Sequence, residues 1–107
     1  MRQRYGQVIG VKPDQIEAYE AIHRAVWPEV LATMTANNMR NYTIFRHATT
    51  LFAYFEYVGE DFAADMARIA ADPATIRWWH LTDPLQEPFP DRGTSWWTTL
   101  HPIFHLD

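Results

Sequence analysis

The sequence contains no cysteine and only one lysine, Lys12, among its 107 residues. Without cysteine the chain can form neither a disulfide framework nor a thiolate metal site, and this composition suits a reducing cytoplasm. No run approaches the roughly 18 to 20 apolar residues that a membrane-spanning helix needs. No apolar run follows the first charged residues either, so we expect no signal peptide. We therefore predict one cytoplasmic domain over residues 1–107, without a membrane partner.

Positive charge is also scarce, since the formal net charge is −4 and the arginines are scattered along the chain. A nucleic-acid-binding protein needs a basic stripe that neutralises phosphates, and none is present. The sequence also has no Gly-rich phosphate loop and no nucleophile elbow. We therefore exclude nucleic acid as a partner and expect an uncharged small molecule as the ligand.

Aromatic residues, by contrast, are abundant: five Trp, five Tyr and six Phe. Two tryptophan pairs are adjacent in sequence, Trp78-Trp79 and Trp96-Trp97. Each indole carries an N–H that needs a partner, so this composition favours the lining of a site for a partly apolar, hydroxyl-rich ligand. Trp96 and Trp97 lie in a predicted strand and should face opposite sides, so we assign them to the core and a dimer interface.

Three ring side chains, Tyr19, His23 and Trp27, recur at intervals of four residues. On one helix they would lie on the same side, turn above turn. Histidine is the side chain whose ordinary pKa lies nearest neutrality, so an imidazole between aromatic rings could move protons on a small uncharged molecule. The spacing is equally typical of an ordinary packed helix face, and by itself it leaves both interpretations open.

Apolar alternation, helical periodicity and turn residues predict the order β-α-β-β-α-β. Pro28 should interrupt the first helix after Trp27. This order is typical of the ferredoxin-like α+β fold, an antiparallel sheet with helices on one face. The uncovered face would leave apolar residues in water, so we expect a homodimer of the dimeric αβ-barrel type. The predicted strands span 5–11, 39–47, 50–58 and 96–105, and the later helices span 61–71 and 74–81.

The five histidines do not form a metal site in this reading. His101 and His105 have the spacing of a helical chelate, but Pro102 lies between them. In a strand they would be roughly 13 Å apart, four steps of about 3.3 Å. We therefore predict no metal site.

Four segments together resemble the L-rhamnose mutarotase family, nearly from end to end of the chain. Two residues depart from the family pattern: Pro102 stands where an acidic residue is usual, and Leu81 replaces a common methionine. The matching segments are Tyr19-x-x-x-His23-x-x-x-Trp27-Pro28-Glu29, Asn41-Tyr42-x-Ile44-Phe45, Trp78-Trp79-x-Leu81-x-Asp83 and Ile103-Phe104-His105-Leu106-Asp107.

The resemblance implies a dimeric ferredoxin-like isomerase that interconverts the anomers of L-rhamnose or a related 6-deoxy sugar, with no cofactor. It implies that His23 is the catalytic residue and proton donor. It also implies that Tyr19 and Tyr42 contact the substrate and that Trp78 and Trp79 bind the sugar. Trp27 is then assigned to packing.

Mutarotation requires that the anomeric hydroxyl lose a proton while the ring oxygen gains one, a task for acid–base catalysis. We expect His23 to protonate the ring oxygen. The group that removes the anomeric proton is left open among Glu29, Asp83 and a bound water. Two other functions remain: a cofactor-free monooxygenase of the same fold type, and a dimeric sugar-binding or sensor module without turnover.

Overall fold

The computed structural model describes residues 2–107, and within that range the strands form one antiparallel sheet. The strands are β1 (Gln3–Val11), β2 (Met39–His47), β3 (Thr50–Tyr57), β4 (Gln86–Glu87) and β5 (Thr98–Thr99). The helices of this part of the chain are α1 (Ile16–His23), α2 (Pro28–Ala36), α3 (Phe62–Ala71) and α4 (Pro73–Thr82). Short 3-10 turns, Pro13–Gln15 and Asp83–Leu85, precede α1 and follow α4.

The sheet has the strand order β2-β3-β1-β4, and β5 also pairs with β1. All of these pairings are antiparallel. The two helical segments each connect strands that are not neighbours in the sheet, as the β-α-β-β-α-β order requires. The predicted ferredoxin-like α+β fold is confirmed.

The core lies between the sheet and the helices. Side chains of β3 alternate, so that Leu51, Ala53, Phe55 and Tyr57 are buried while Phe52 is 40% exposed on the other face. This period of two is what a strand with one covered face predicts. The buried face packs on helical residues, chiefly Tyr19 from α1 and Ile69 from α3, whereas Val30 of α2 packs on Trp78 of α4 in a separate cluster.

Aspartate caps position the two helices of the second half. The Asp61 carboxylate accepts a hydrogen bond of 3.1 Å from the Ala64 amide at the start of α3. The Asp72 carboxylate accepts one of 2.9 Å from the Thr75 amide, and Pro73 occupies the first turn of α4. Such caps satisfy amides that have no partner within the helix.

A buried carboxylate ties α3 to the sheet. Asp65 accepts hydrogen bonds from the Tyr57 hydroxyl and from Asn38 Nδ2, the latter at 2.9 Å, and it pairs with Arg68. The hydrogen bond from Tyr57, followed by that from Asn38, lowers the pKa of Asp65 to about 2. The negative charge is therefore held at the junction of β3, α3 and the start of β2.

The first helix ends earlier than predicted. Helix α1 stops at His23, and the amides of Arg24 and Ala25 bond three residues back in a tightened last turn. Trp27 has an extended backbone (φ −61°, ψ 134°) and precedes Pro28, the first residue of α2. Proline disfavours the helical conformation of the residue before it, so Trp27 is extended, and the helix has already ended at His23, before the expected break after Trp27. Trp27 therefore does not lie on the helix of Tyr19 and His23.

The last strand is much shorter than the predicted 96–105. Only Thr98 and Thr99 pair with β1, and the Leu100 amide adds one more bond of 2.8 Å to the Gly6 carbonyl. Pro102 has no amide hydrogen and cannot continue the ladder. Beyond it, Ile103, Phe104 and Leu106 are 79–93% exposed.

Candidate active site

Tyr19 and His23 lie one turn apart on α1, and their rings stack with centroids 4.2 Å apart and planes inclined by 29°. Tyr19 is buried, whereas His23 is half-buried and reaches the surface of the protein. The predicted contact between these two side chains is therefore present. It places an imidazole at the edge of the core, where a small molecule can reach it.

A backbone hydrogen bond fixes the tautomer of His23. Its Nδ1 lies 2.7 Å from the Tyr19 carbonyl oxygen, which can only accept a hydrogen bond, so Nδ1 must be the protonated nitrogen. In the neutral ring Nε2 then carries no hydrogen and can accept a proton. Burial lowers the pKa of His23 below its ordinary value, and the hydrogen bond to Tyr19 opposes that shift. At neutral pH His23 is therefore mainly a base.

The two adjacent tryptophans of α4, Trp78 and Trp79, lie in different surroundings. Trp78 is buried and meets the His23 ring edge-on at 5.3 Å, and the Trp27 ring also packs against it, at 5.3 Å. Trp79, one residue further along the helix, is 40% exposed. Neighbouring residues on a helix point about 100° apart, so the two indoles lie in different surroundings. Trp78 supports His23 from within the core, and Trp79 presents its ring to solvent.

A β-bulge in β2 directs Tyr42 to the covered face of the sheet. The pairing with β3 shifts by one residue between Arg40 and Thr43, so Asn41 and Tyr42 together oppose Phe55. Asn41 adopts a left-handed backbone (φ 55°), which asparagine tolerates well. Because side chains alternate along a strand, the extra residue turns Tyr42 onto the Phe55 ring, 5.7 Å away and nearly parallel.

The hydroxyls of Tyr19 and Tyr42 remain protonated at neutral pH. Burial raises the pKa of Tyr19 to about 12, and a hydrogen bond from Gln86 opposes that shift. Burial also raises the pKa of Tyr42, and the neighbouring Tyr19 hydroxyl adds to the shift. Although the Tyr42 side chain keeps about a third of its surface exposed, its hydroxyl faces inward. Both groups can therefore donate and accept hydrogen bonds but cannot act as bases.

A cleft of about 330 Å³ opens between α1 and β2. This volume lies at the lower end of the range for small-molecule sites. Among the proposed site residues, only Tyr19 and His23 line the cleft. Tyr42 and Trp78 lie outside the lining, next to Tyr19 and His23 respectively, and Trp79 does not line the cleft either. The lining residues are Tyr19, Glu20, His23, Arg24, Ile44, Phe45, Arg46 and Leu51.

Four side chains lie beside the site although the sequence did not predict that they would be near the substrate. Glu20 and Arg46 form an ion pair that joins α1 to β2 within the cleft. Gln86 is buried and bonds both the Tyr19 hydroxyl (3.0 Å) and the Trp96 indole (2.8 Å). Trp97 alone of its pair packs on the core, against the cluster around Tyr19. A single Gln or Glu outside any motif offers no sequence signal, because its partner lies far away in the chain.

Neither carboxylate suggested for the anomeric proton lines the cleft. Glu29 is exposed in the first turn of α2. Asp83 is half-buried in the turn after α4; burial raises its pKa, and His80 opposes that shift. Within residues 2–107 no group of three or more His, Asp or Glu side chains is arranged to hold a metal ion. No helix in that range is long and apolar enough to cross a membrane.

Comparison with known sequences identifies the family to which this sequence is similar. The family model described as L-rhamnose mutarotase matches residues 4–106. An L-rhamnose mutarotase of Oceanobacillus iheyensis is 30% identical over 106 residues, which cover 97% of this chain and 98% of that protein. An L-rhamnose mutarotase of Opitutus terrae is 36% identical over 91 residues, which cover 83% and 84% of the two chains.

Structural comparison supports the fold. The crystal structure of an L-rhamnose mutarotase from Formosa agariphila superposes with a TM-score of 0.78 at 22% identity, covering 98% of this chain and 99% of that one. Tetracenomycin F2 cyclase from Streptomyces glaucescens, a type-II polyketide cyclase, superposes with a TM-score of 0.71 at 13% identity, covering 98% and 97%. At these identities the two likenesses concern the fold alone.

Proposed function

The chain belongs to the L-rhamnose mutarotase family, and from this premise we propose that it interconverts the α and β anomers of L-rhamnose without a cofactor. The reaction moves one proton between two oxygens of the sugar and breaks and remakes one ring bond. Its demands are a group that accepts and returns a proton near neutral pH and a cleft that holds the sugar beside it.

One observation carries the proposal: the 2.7 Å hydrogen bond that leaves Nε2 of neutral His23 free to accept a proton. In the first step Nε2 takes the proton of the anomeric hydroxyl. The ring C–O bond breaks, a carbonyl forms at the anomeric carbon, and the imidazolium gives its proton to the ring oxygen. The anomeric hydroxyl oxygen and the ring oxygen are both bonded to the anomeric carbon, so Nε2 can take the proton from one and give it to the other.

Rotation about the bond next to the carbonyl, followed by the same steps in reverse, yields the other anomer. The proton donor expected at His23 is thus the imidazolium formed in the first half of the reaction. In this scheme neither Glu29 nor Asp83 has to remove the anomeric proton, in keeping with their positions outside the lining of the cleft.

We assign sugar binding to four aromatic side chains. The Tyr19 ring stacks on His23, and Tyr42 brings a second protonated hydroxyl near that of Tyr19, so that the two can orient the sugar hydroxyls. Trp78 contributes by holding the His23 ring through an edge contact. Trp79, which is exposed but outside the residues that line the cleft, is assigned to cover the apolar face of a 6-deoxy sugar.

We also propose that the protein is a cytoplasmic homodimer. The outer face of the sheet carries Phe45 and Phe52, paired in register and 60% and 40% exposed. A second copy of the chain would cover this apolar surface. The absence of cysteine suits a reducing compartment.

The test is the exchange rate between the α and β anomers of L-rhamnose, measured by saturation-transfer NMR. We expect wild-type protein to raise it well above the spontaneous rate and His23→Ala to lower kcat/KM by about 10²- to 10⁴-fold, the range for a general acid–base group. The matched control is His47→Ala, because His47 is an exposed histidine outside the lining of the cleft.

Two results would contradict the assignment. Exchange at the spontaneous rate with wild-type protein would refute the mutarotase activity, and broadened L-rhamnose signals without exchange would then indicate a binding module. If His23→Ala exchanged the anomers as fast as His47→Ala, the activity would stand and the role of His23 would be wrong.

A further inference from the structure

A hydrogen-bonded chain links the C-terminal segment to the candidate site through Gln86. The Trp96 indole nitrogen lies 2.8 Å from Gln86 Oε1, and Gln86 Nε2 lies 3.0 Å from the Tyr19 hydroxyl. Because Gln86 is buried, breaking either hydrogen bond would leave a polar group without a water partner and would cost free energy. These hydrogen bonds join residues that are far apart in sequence, since Tyr19 and Gln86 are separated by 67 positions.

Trp96 determines the direction of every hydrogen bond in this chain. An indole N–H can only donate, so the oxygen of the Gln86 amide must face Trp96. The amide nitrogen then faces Tyr19 and can only donate to it. The Tyr19 oxygen is therefore an acceptor toward Gln86, and its own hydrogen is free to donate elsewhere.

We infer that Gln86 is a positioning residue that fixes Tyr19 as a hydrogen-bond donor toward a sugar oxygen beside His23. The Tyr19 ring stacks on His23 one helical turn away, so the residue that carries the hydroxyl hydrogen is in contact with the proton acceptor. Donation from Gln86 to the Tyr19 oxygen also opposes the rise in the pKa of that hydroxyl, which makes it a better donor. This inference rests on the proposed mutarotase function.

The experiment reverses the direction of the hydrogen bond between residue 86 and Tyr19 with little change in the shape of the side chain. In Gln86→Glu, an ionised carboxylate can only accept, so it takes the Tyr19 hydrogen away from the sugar. A protonated carboxyl restores the original pattern, because its O–H donates to Tyr19 while the other oxygen accepts from Trp96. We expect kcat/KM for anomer exchange at pH 8 to fall at least about 10-fold. We further expect this loss to shrink as the pH is lowered and the introduced carboxyl is protonated.

A double-mutant cycle separates positioning from simple destabilisation. Tyr19→Phe keeps the stacked ring and removes the hydroxyl, so Gln86→Glu should cause little further loss of kcat/KM in that background. Losses that multiply, or a wild-type pH profile merely scaled down, would overturn the inference while leaving the mutarotase activity intact. Absence of exchange with wild-type protein would instead refute the proposed function.

Trp96→Phe gives a second route if Gln86→Glu does not fold. Trp96 is a partly exposed position, and the change removes the donor that orients the amide. We expect a loss of a few-fold in kcat/KM that disappears in the Tyr19→Phe background. A loss of the same size in both backgrounds would overturn the inference.

Discussion

At the scale of single residues, the chemistry depends on which nitrogen of His23 carries a hydrogen. The Tyr19 carbonyl holds the hydrogen on Nδ1, and partial burial lowers the pKa of the ring. The carbonyl selects the tautomer in which Nε2 accepts, and burial, the larger influence on the pKa, favours the neutral ring at physiological pH. The same helix turn therefore supplies the base and, through its backbone, the group that orients it.

The pH dependence of anomer exchange follows from this environment. Protonation of Nε2 removes the base, so kcat/KM should fall as the pH drops through the lowered pKa of His23 and should be level above about 6.5, its ordinary value. The measurement is saturation-transfer NMR from pH 5 to 8, with the spontaneous rate subtracted at each pH. A rate that rose toward pH 5 would mean that the imidazolium starts the reaction.

At the scale of secondary-structure elements, the bulge in β2 decides which face of the sheet Tyr42 occupies. Without the extra residue opposite Phe55, alternation would place Tyr42 on the outer face, away from Tyr19. Asn41 allows the bulge because its side chain is tolerated at positive φ. The position of one substrate-binding candidate is thus a property of the strand rather than of the residue alone.

Two substitutions at Asn41 test the bulge. Asn41→Val places a β-branched residue at φ 55°, which costs about 1–3 kcal/mol of strain and should disturb Tyr42. We expect a lower melting temperature and a loss of about 10-fold in kcat/KM. Asn41→Gly adopts this conformation freely and should stay within about twofold of wild type.

The glycine variant is the matched control, because both substitutions remove the 2.9 Å hydrogen bond from Asn41 to Glu56. Thermal unfolding and the NMR exchange assay would be run on both proteins. Equal losses in the two variants would assign the effect to that hydrogen bond and would argue against the bulge.

Local sequence signals predicted most of these elements but not all of their ends. Alternation located β2 and β3 to within a residue, and the capping aspartates Asp61 and Asp72 mark the starts of α3 and α4. The end of α1 was wrong, because the restriction imposed by Pro28 acts on Trp27 and leaves the preceding turn without helical continuation. The last strand was predicted too long, because Pro102 lacks the amide hydrogen that the ladder needs and because pairing depends on a partner edge as well as on the pattern.

At the scale of the whole molecule, one set of exposed apolar residues lies on the outer face of the sheet and in the C-terminal segment. Phe52 on β3 and the tail residues Ile103, Phe104 and Leu106 expose much of their surface in a single chain. Contiguous apolar surface of this kind is typical of an interface. A second copy seated on the sheet would bury it and give the tail a surface to pack on.

Light scattering during size-exclusion chromatography should therefore give twice the chain mass of 12.6 kDa. Phe52→Glu places a charge in the proposed interface and should lower the measured mass toward that of a single chain. The control is Leu31→Glu on α2, since Leu31 is 50% exposed on the helical side of the molecule. A wild-type mass of one chain, or dissociation by both substitutions alike, would contradict the dimer.

The sequence alone determined the ferredoxin-like fold, the family and the contact of Tyr19 with His23, because all three depend on periodicity, order and spacing along the chain. Only the tertiary structure decided that Trp27 packs on Trp78, that Tyr42 turns inward at a bulge and that Gln86 directs the Tyr19 hydroxyl. These contacts join residues from separate elements. A local pattern cannot encode them, since their partners meet only when the sheet and helices pack together.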